Sequence, residues 1–314
     1  MNEFRLFPEQ SSTFASRVDA LFFFILAVGV AFTLIIAALI VYFSLRYRRV
    51  KSKPFPTPAH PPMWLELAWS IIPLVLTLIM FVWGSRLYFA AYRPPRDAMD
   101  VQVIGKQWMW KLQHPQGRRE INEFHVPLGL PVRLVMISQD VIHDLYIPSF
   151  RIKQDVLPGR YTYAWFQASK LGEGHLFCAQ YCGNQHAGMI GRVVVMEPTQ
   201  YETWLKDLGA GEVSMVESGE RLYRQFGCNA CHGVKAPTLA GLFGSRVALA
   251  DGSSVTADES YLREHILTPR TRTVAGYQSI MPTYKGQMNE DQVTQIVAYI
   301  KSLREYKTET EPKP

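Results

Sequence analysis

Two long apolar runs near the start of the chain dominate its hydropathy pattern. Residues Ala20 to Leu45 carry no charge, consist mainly of Leu, Ile, Phe, Val and Ala, and are bounded by Asp19 and Arg46. About twenty such residues suffice to cross a bilayer, so the run predicts a spanning helix over about 20–45. A cleaved secretory signal would have a shorter apolar region with a small-residue cleavage site behind it. A second uncharged run, Leu67 to Ser85, lies between Glu66 and Arg86 and predicts a second span over about 67–88. Its Pro73 is tolerated in a membrane helix when neighbouring groups satisfy the freed carbonyl.

Beyond residue 95 the pattern shortens. Val101–Ile104, Val132–Ile137, Tyr161–Phe166 and Ile190–Met196 are brief runs of β-branched and aromatic residues separated by Gly, Pro and polar positions. Such runs predict strands at sandwich spacing, with functional loops gathered at one end of a rigid scaffold. After residue 216 the periodicity becomes helical. Ser218–Phe226 and Glu259–Ile266 predict short helices, and Val293, Ile296, Val297, Ile300 and Leu303 predict a longer one that Asn289 can cap. Tyr201–Leu208 reads as a helix that Gly209-Ala-Gly ends. The expected organisation is a helical hairpin over 1–95, a β-sandwich over 96–200 and a linker over 201–216. An all-α domain over 217–305 and a disordered tail over 306–314 complete it.

Charge refines the topology. There are 33 Lys and Arg against 27 Asp and Glu, a net +6. Arg46, Arg48, Arg49, Lys51 and Lys53 follow the first span, and no acid appears before Glu66. By the positive-inside rule this loop is cytoplasmic. The N-terminus and everything after residue 92 are then expected on the outer side of a bacterial-type inner membrane, as a multi-pass protein. The positive balance reflects topology, and no basic-aromatic groove or nucleic-acid motif accompanies it.

The chain has four cysteines. Two lie in Cys178-Ala-Gln-Tyr-Cys182-Gly-Asn-Gln-His186-Ala-Gly-Met189, which packs two thiols, an imidazole and a thioether into one short segment. Soft sulfur with imidazole suits copper or zinc, and a Cys/His/Met set leans towards electron-transfer copper. A mononuclear blue-copper site uses one thiolate, whereas two thiolates four residues apart can bridge a pair of copper ions. A second imidazole must come from elsewhere, and His143 in Asp140-Val-Ile-His143-Asp-Leu-Tyr-Ile-Pro-Ser is the best candidate. A disulfide on an extracytoplasmic loop is the plainer alternative, but it gives His186 and Met189 no role. The other two cysteines lie in Cys228-Asn-Ala-Cys231-His232, the pattern of covalent haem c attachment with His232 as the proximal ligand. A zinc site would want two further soft ligands; no cysteine follows residue 231, and His265 supplies one at most.

The copper segment resembles the binuclear copper A centre of cytochrome c oxidase subunit II. The likeness extends over residues 10–205 through the two-span anchor, Gln107-Trp108-Met109-Trp110, the Asp140 to His143 segment and Val156-Leu-Pro-Gly-Arg160. The C-terminal haem domain resembles that of caa-type haem–copper oxidases, whose subunit II carries its own class I cytochrome c. The resemblance implies a cupredoxin-like sandwich holding two copper ions. Their ligands would be the side chains of His143, Cys178, Cys182, His186 and Met189 and the backbone carbonyl of Gln180. Most relatives have glutamate at the position of Gln180, where it also serves a magnesium ion at the interface with subunit I. A neutral amide is a poorer ligand for a hard cation, which puts that magnesium in doubt here. Met281, before a proline in Ser-Ile-Met-Pro-Thr-Tyr, resembles the distal haem ligand of small cytochromes c, with Met288 as the other methionine in reach. Trp108 matches the tryptophan that passes electrons to copper, against a packing role of the kind expected for Trp110. Glu66 matches an acid at the entrance of a proton pathway into subunit I.

The resemblance thus implies the electron-input subunit of a membrane-bound, proton-translocating terminal oxidase. Electrons from an external donor, a cytochrome c or another redox protein, would enter at the haem and pass through copper A. The oxygen-reducing site would lie in subunit I, which partners this chain with the other oxidase subunits and the lipid bilayer. A nitric oxide reductase with a copper A subunit shares the same input chemistry. Quinol oxidases keep the anchored fold without the copper ligands. A membrane-tethered electron carrier or copper-delivery protein is the non-enzymatic alternative.

Overall fold

The structure, a computed structural model, describes residues 7–48, 61–207, 213–233 and 235–303. It divides into two compact units, Thr13–Arg93 and a larger one formed by the segments on either side. The basic loop from Arg49 to Lys53, Leu208 and Gly209-Ala-Gly, and the tail 306–314 lie outside the described residues.

The smaller unit is a pair of helices, α1 (Ala15–Arg46) and α2 (Met63–Ala91). Both are long and apolar enough to cross a membrane, and the most apolar stretch of each is unburied. A helix apolar all round needs an apolar medium or partner, which a bilayer supplies. Two threonine hydroxyls are satisfied within their own helices: Thr33 Oγ1 donates to Gly29 O at 2.8 Å, and Thr77 Oγ1 to Leu74 O at 2.8 Å. Glu66 lies in the first turn of α2, where a carboxylate faces the positive end of the helix dipole.

The larger unit opens with a β-sandwich. Its strands are β1 (Met99–Lys106), β2 (Met109–Gln113), β3 (Arg119–Ile121), β4 (Glu123–Pro127), β5 (Pro131–Ser138), β6 (His143–Ile147), β7 (Ile152–Val156), β8 (Thr162–Gln167), β9 (Gly172–Cys178) and β10 (Ile190–Met196). One sheet runs β3-β2-β1-β5-β8 and the other β4-β10-β9-β6-β7. The pairs β1/β5 and β4/β10 are parallel, the rest antiparallel. Alternation sends Val101, Val103, Val132, Leu134, Met136 and Phe166 into the space between the sheets, where they meet Trp110, Phe124, Leu145 and Phe150. All four strands expected from the sequence are present.

Before α1, the extended stretch around Ser11 and Ser12 pairs with the sandwich. Ser11 N–H donates to Ser149 O at 2.9 Å, and Ser12 Oγ to Phe150 O at 2.8 Å. After β10, helix α3 (Pro198–Lys206) packs on the sandwich through Tyr201, whose hydroxyl meets His114 Nδ1 at 2.8 Å. The buried His114 and the half-buried His125 share the carboxylate of Glu120 at 2.8 and 2.6 Å. These histidines stood outside any sequence motif and serve as hydrogen-bonded packing groups.

The helical domain is built from α4 (Met215–Gln225), α5 (Glu259–Leu267) and α6 (Glu290–Ser302). Each starts at a side-chain cap: Ser214, Asp258 and Asn289, the last in a reciprocal capping box with Gln292. Val293, Ile296, Val297 and Ile300 of α6 face the core with Leu262, Ile266 and Met288. Helix α4 crosses α6 at Gly219, where a Cβ would lie 2.0 Å from the carbonyl oxygen of Gln295. Overpacking of this kind costs about 1–3 kcal/mol. Gly219→Ala is therefore expected to lower the melting temperature of the helical domain, read by circular dichroism. An unchanged melt would show that the helices separate at no cost.

Candidate metal centre and haem cavity

Strand ends bring the sulfur and nitrogen donors of the sandwich together. His143 is the first residue of β6, Cys178 the last of β9, and Cys182 and His186 follow in the loop before β10. The loop expectation thus holds for part of the set, while two donors sit on the sheet itself, where backbone pairing fixes them. Cys178 Sγ lies 3.8 Å from Cys182 Sγ and 3.8 Å from His143 Nδ1. Cys182 Sγ is 3.5 Å from His186 Nδ1 and 3.9 Å from Met189 Sδ. The Gln180 carbonyl oxygen is 3.2 Å from Cys178 Sγ, and the Gln180 side chain points out to solvent-exposed surface. All six residues read from the sequence converge on one spot, and His143, Cys178, Cys182 and Met189 are buried there. Both thiols are free.

A second set of groups orients the donors. Asp140 Oδ1 lies 2.8 Å from His143 Nε2, which assigns the proton to Nε2 and leaves the Nδ1 lone pair facing the sulfurs. Asp140 is itself fixed by the N–H groups of Gln107 at 2.8 Å and Val141 at 2.7 Å. Burial works against its charge, yet these hydrogen bonds hold its pKa below the usual aspartate value. Gln107 Nε2 donates to the Cys182 carbonyl at 2.8 Å, and Trp108 Nε1 reaches the same oxygen at 3.3 Å. Trp110 is fully buried and meets the His143 ring edge-on, with ring centroids 5.9 Å apart. Gly105 makes room for that imidazole, since a Cβ there would lie 2.9 Å from His143 Cδ2.

The electrostatics fit a cation. Burial opposes ionisation of Cys178, but the interaction with His143 and backbone hydrogen bonds bring its thiol down to about 7. Burial and the neighbouring Cys178 push Cys182 up to about 12. Two thiolates this close need positive charge between them to coexist, and soft sulfur with imidazole selects copper-like metals.

The helical domain encloses a cavity of about 320 Å³. Cys228, Cys231 and His232 line it together with Met281, Tyr284, Ile296 and Ile300. His232 Nδ1 meets the Pro237 carbonyl at 2.9 Å, so Nδ1 carries the proton and Nε2 is free to bind a metal. Two adjacent thiols, an oriented imidazole and apolar walls fit a covalently held haem. Met281 lines this cavity, whereas Met288 is buried in the helical core and is not among the lining residues. His265 also lines it, stacked on Tyr261 at 5.1 Å. Sequence reasoning gave His265 no haem-side place; its position on the inner face of α5 was the available signal.

Residues 119–197 match the family model for the periplasmic domain of cytochrome c oxidase subunit II, and residues 216–304 match that for cytochrome c. The chain thus carries a cytochrome c oxidase subunit II periplasmic domain followed by a cytochrome c domain. Cytochrome c oxidase subunit 2 of Thermostichus vulcanus is 29% identical over 255 residues, covering 63% of this chain and 77% of the relative. The protein of the same name from Alkalihalophilus pseudofirmus is 27% identical over 290 residues, covering 87% and 83%. A crystal structure of the periplasmic domain of subunit II from Bradyrhizobium japonicum is 29% identical, with a TM-score of 0.35. It covers 36% of this chain and 95% of that domain. The subunit II periplasmic domain implies copper A in the sandwich, and the cytochrome c domain implies haem c. The periplasmic domain places the residues after α2 outside the cytoplasm, and the two apolar helices are suited to anchor it.

Orienting groups of this kind commonly contribute about 10–100-fold in metal affinity. Asp140→Ala is expected to weaken copper retention on that scale in a chelator competition. Equal retention by the variant and the parent would remove Asp140 from the site's construction.

Proposed function

We propose that this chain is the electron-input subunit of a membrane-bound haem–copper terminal oxidase of the caa type. It takes electrons from an external redox protein at a c-type haem and passes them through binuclear copper A to a catalytic subunit that reduces oxygen and translocates protons. One observation carries the reading: a cluster of five sulfur and imidazole donors with the Gln180 carbonyl, and a cavity with Cys228, Cys231, His232 and Met281 on its walls, occur in one chain.

When bound, the two cofactors supply one-electron redox chemistry; the chain supplies position and electrostatics. Cys178, Cys182, His143, His186, Met189 and the Gln180 carbonyl would hold the two copper ions, the thioether and the carbonyl being the weaker donors. Donors held by strand ends and by Asp140 leave little freedom to rearrange, which favours rapid electron exchange. Trp108 is half-buried, and its indole N–H reaches the carbonyl of Cys182. That contact supports its assignment as an electron relay. In the helical domain Cys228 and Cys231 would hold the haem covalently, and His232 and Met281 would ligate its iron. Magnesium finds no carboxylate at Gln180, and we assign none there.

We further assign domains at 1–95, 96–200 and 217–305, joined by 201–216, with both termini on the outer side of a bacterial-type inner membrane. Pairing of Ser11 and Ser12 with the sandwich supports the outward N-terminus. Glu66, at the start of α2, is assigned to the proton entrance on its place at a helix end.

Cys182→Ser is expected to abolish the copper absorption and oxygen consumption of the purified complex while leaving haem reduction by the donor intact. Retained turnover would refute the copper assignment. Met281→Ala is expected to alter the haem spectrum and lower the potential, because a thioether axial ligand raises it. An unchanged redox titration would move the ligand role to Met288.

A further inference from the structure

The outer face of the β1-β5-β8 sheet is unusual for a surface that a sandwich turns away from its core. Asp100 pairs with Arg133 and Ile104 with Ile137 across β1 and β5, and Val135 pairs with Tyr163 across β5 and β8. Ile104, Val135, Ile137 and Tyr161 are buried there in a cluster separate from the sandwich core. The helical domain covers them. Tyr161 Oη meets Thr294 Oγ1 of α6 at 3.2 Å, and both residues are buried.

Beside this apolar patch four charged side chains form a closed ring of alternating sign. Arg133 grips Asp100 through Nε and Nη2, both at 2.6 Å, and its Nη2 lies 3.2 Å from Glu259 Oε1. Lys301 Nζ donates to Glu259 Oε1 at 2.8 Å and to Asp100 Oδ2 at 3.0 Å. Each acid touches both bases, and each domain contributes one acid and one base. The Glu259 side chain is only 6% exposed, the others about a quarter. Burial favours the neutral carboxylic acids, but the surrounding cations keep Asp100 and Glu259 below their usual pKa. Two flanking contacts reinforce the seam: Arg263 Nη1 donates to Gly159 O at 2.6 Å, and Lys111 pairs with Asp291 at 3.2 Å.

We propose that this ring is a latch: Asp100, Arg133, Glu259 and Lys301 clamp α5 and α6 on the sandwich, so that the haem domain works as a docked module and not as a swinging tethered carrier. The inference rests on the proposed electron-input function for its purpose, though not for its geometry. Helix α6 is the element that makes docking useful. Ile296 and Ile300 on one face line the haem cavity, while Thr294 on another reaches Tyr161. Tyr161 packs with Ile104, whose neighbour Gly105 lies against the His143 ring. Packed protein therefore runs without a break from the haem wall to a copper ligand. The four latch residues are positioning residues, since none touches either cofactor pocket.

The test uses the full chain in its complex, with a protease site substituted into residues 208–212. After cleavage, the parental haem domain should stay with the complex through low-salt and roughly 1 M salt washes, because a partly buried ring is screened much less than exposed charges. Glu259→Gln and, independently, Lys301→Met should release it at least about thirtyfold faster, as expected when one partner of a buried pair is removed. Unchanged haem absorbance certifies that the released domain is folded. Release of the parental domain as fast as the variants', or retention of both variants as firmly as the parent, would overturn the latch. In uncut complexes, flash-induced haem-to-copper electron transfer should be independent of viscosity in the parent and slower and viscosity-dependent in the variants. Viscosity dependence in the parent would equally overturn the proposal. Should the copper assignment fail, this kinetic signal disappears, while domain retention still judges the latch.

Discussion

Two thiols 3.8 Å apart in a nearly dry pocket set the conditions for the rest of the sandwich. Both cannot carry negative charge at that distance without a cation between them, and the opposed shifts of Cys178 and Cys182 record the conflict. The remaining features of the site follow from it. Cys178 and His143 are placed at strand ends, where ladder hydrogen bonds fix the backbone. Asp140 sets the tautomer of His143, and Gln107 and Trp108 hold the carbonyl of Cys182. A rigid donor set is what a one-electron relay requires, because any ligand movement between oxidation states would add to the barrier. The fold spends its most regular structure on the donors and leaves the connecting loop to close the site.

Much of this was legible in the sequence because the chemistry is local. Cys178, Cys182, His186 and Met189 fall in one segment, and their softness narrows the metal to copper or zinc, with a lean towards copper, before any fold is known. Cys228, Cys231 and His232 are equally compact. His143 could be put forward as a candidate for the second imidazole, but 35 residues separate it from Cys178 and only the sheet joins them. Asp140 was visible three residues before His143, but nothing in the sequence says that its carboxylate turns back to the imidazole. Strands β3, β7 and β9 escaped for a different reason. Arg119-Glu-Ile is too short to show a period, Ile152-Lys-Gln-Asp-Val is mostly polar, and β9 carries Gly172 and Gly174. Pairing with neighbours makes these segments strands, and intrinsic preference does not.

The docking surface left a trace that pattern reading passed over. A strand with one wet face alternates, yet Leu134-Val-Met-Ile137 is apolar without a break, the signature of a strand covered on both sides. The same holds for Val103 and Ile104 in β1. Helix α6 shows the complementary anomaly. Beyond its apolar stripe, Thr294 and Gln295 are also buried, Thr294 against Tyr161 and Gln295 where α4 crosses. A helix with a wet outer face has no reason to bury a polar residue there. Read jointly, the unbroken strand and the doubly buried helix identify each other as partners.

Fusion alone already raises the effective concentration of one domain at another, to the millimolar range for a short flexible connection. A partly buried ring of four charges goes further, because it selects one orientation as well as proximity. Charged rings are poor sources of net stability, since desolvation offsets most of the attraction, but a mispaired arrangement strands a buried charge and is strongly disfavoured. The ring is therefore better understood as a specifier of geometry, with Ile104, Val135, Ile137 and Tyr161 supplying the adhesive area. Specifying one orientation has a consequence for the other side of the haem domain. The face that carries Glu259, Arg263, Asp291 and Lys301 is occupied, while Tyr277 and Ile280 at the cavity rim remain exposed. A docked domain thus separates two tasks in space: one face is committed to the copper domain, and the exposed rim stays open to the solution.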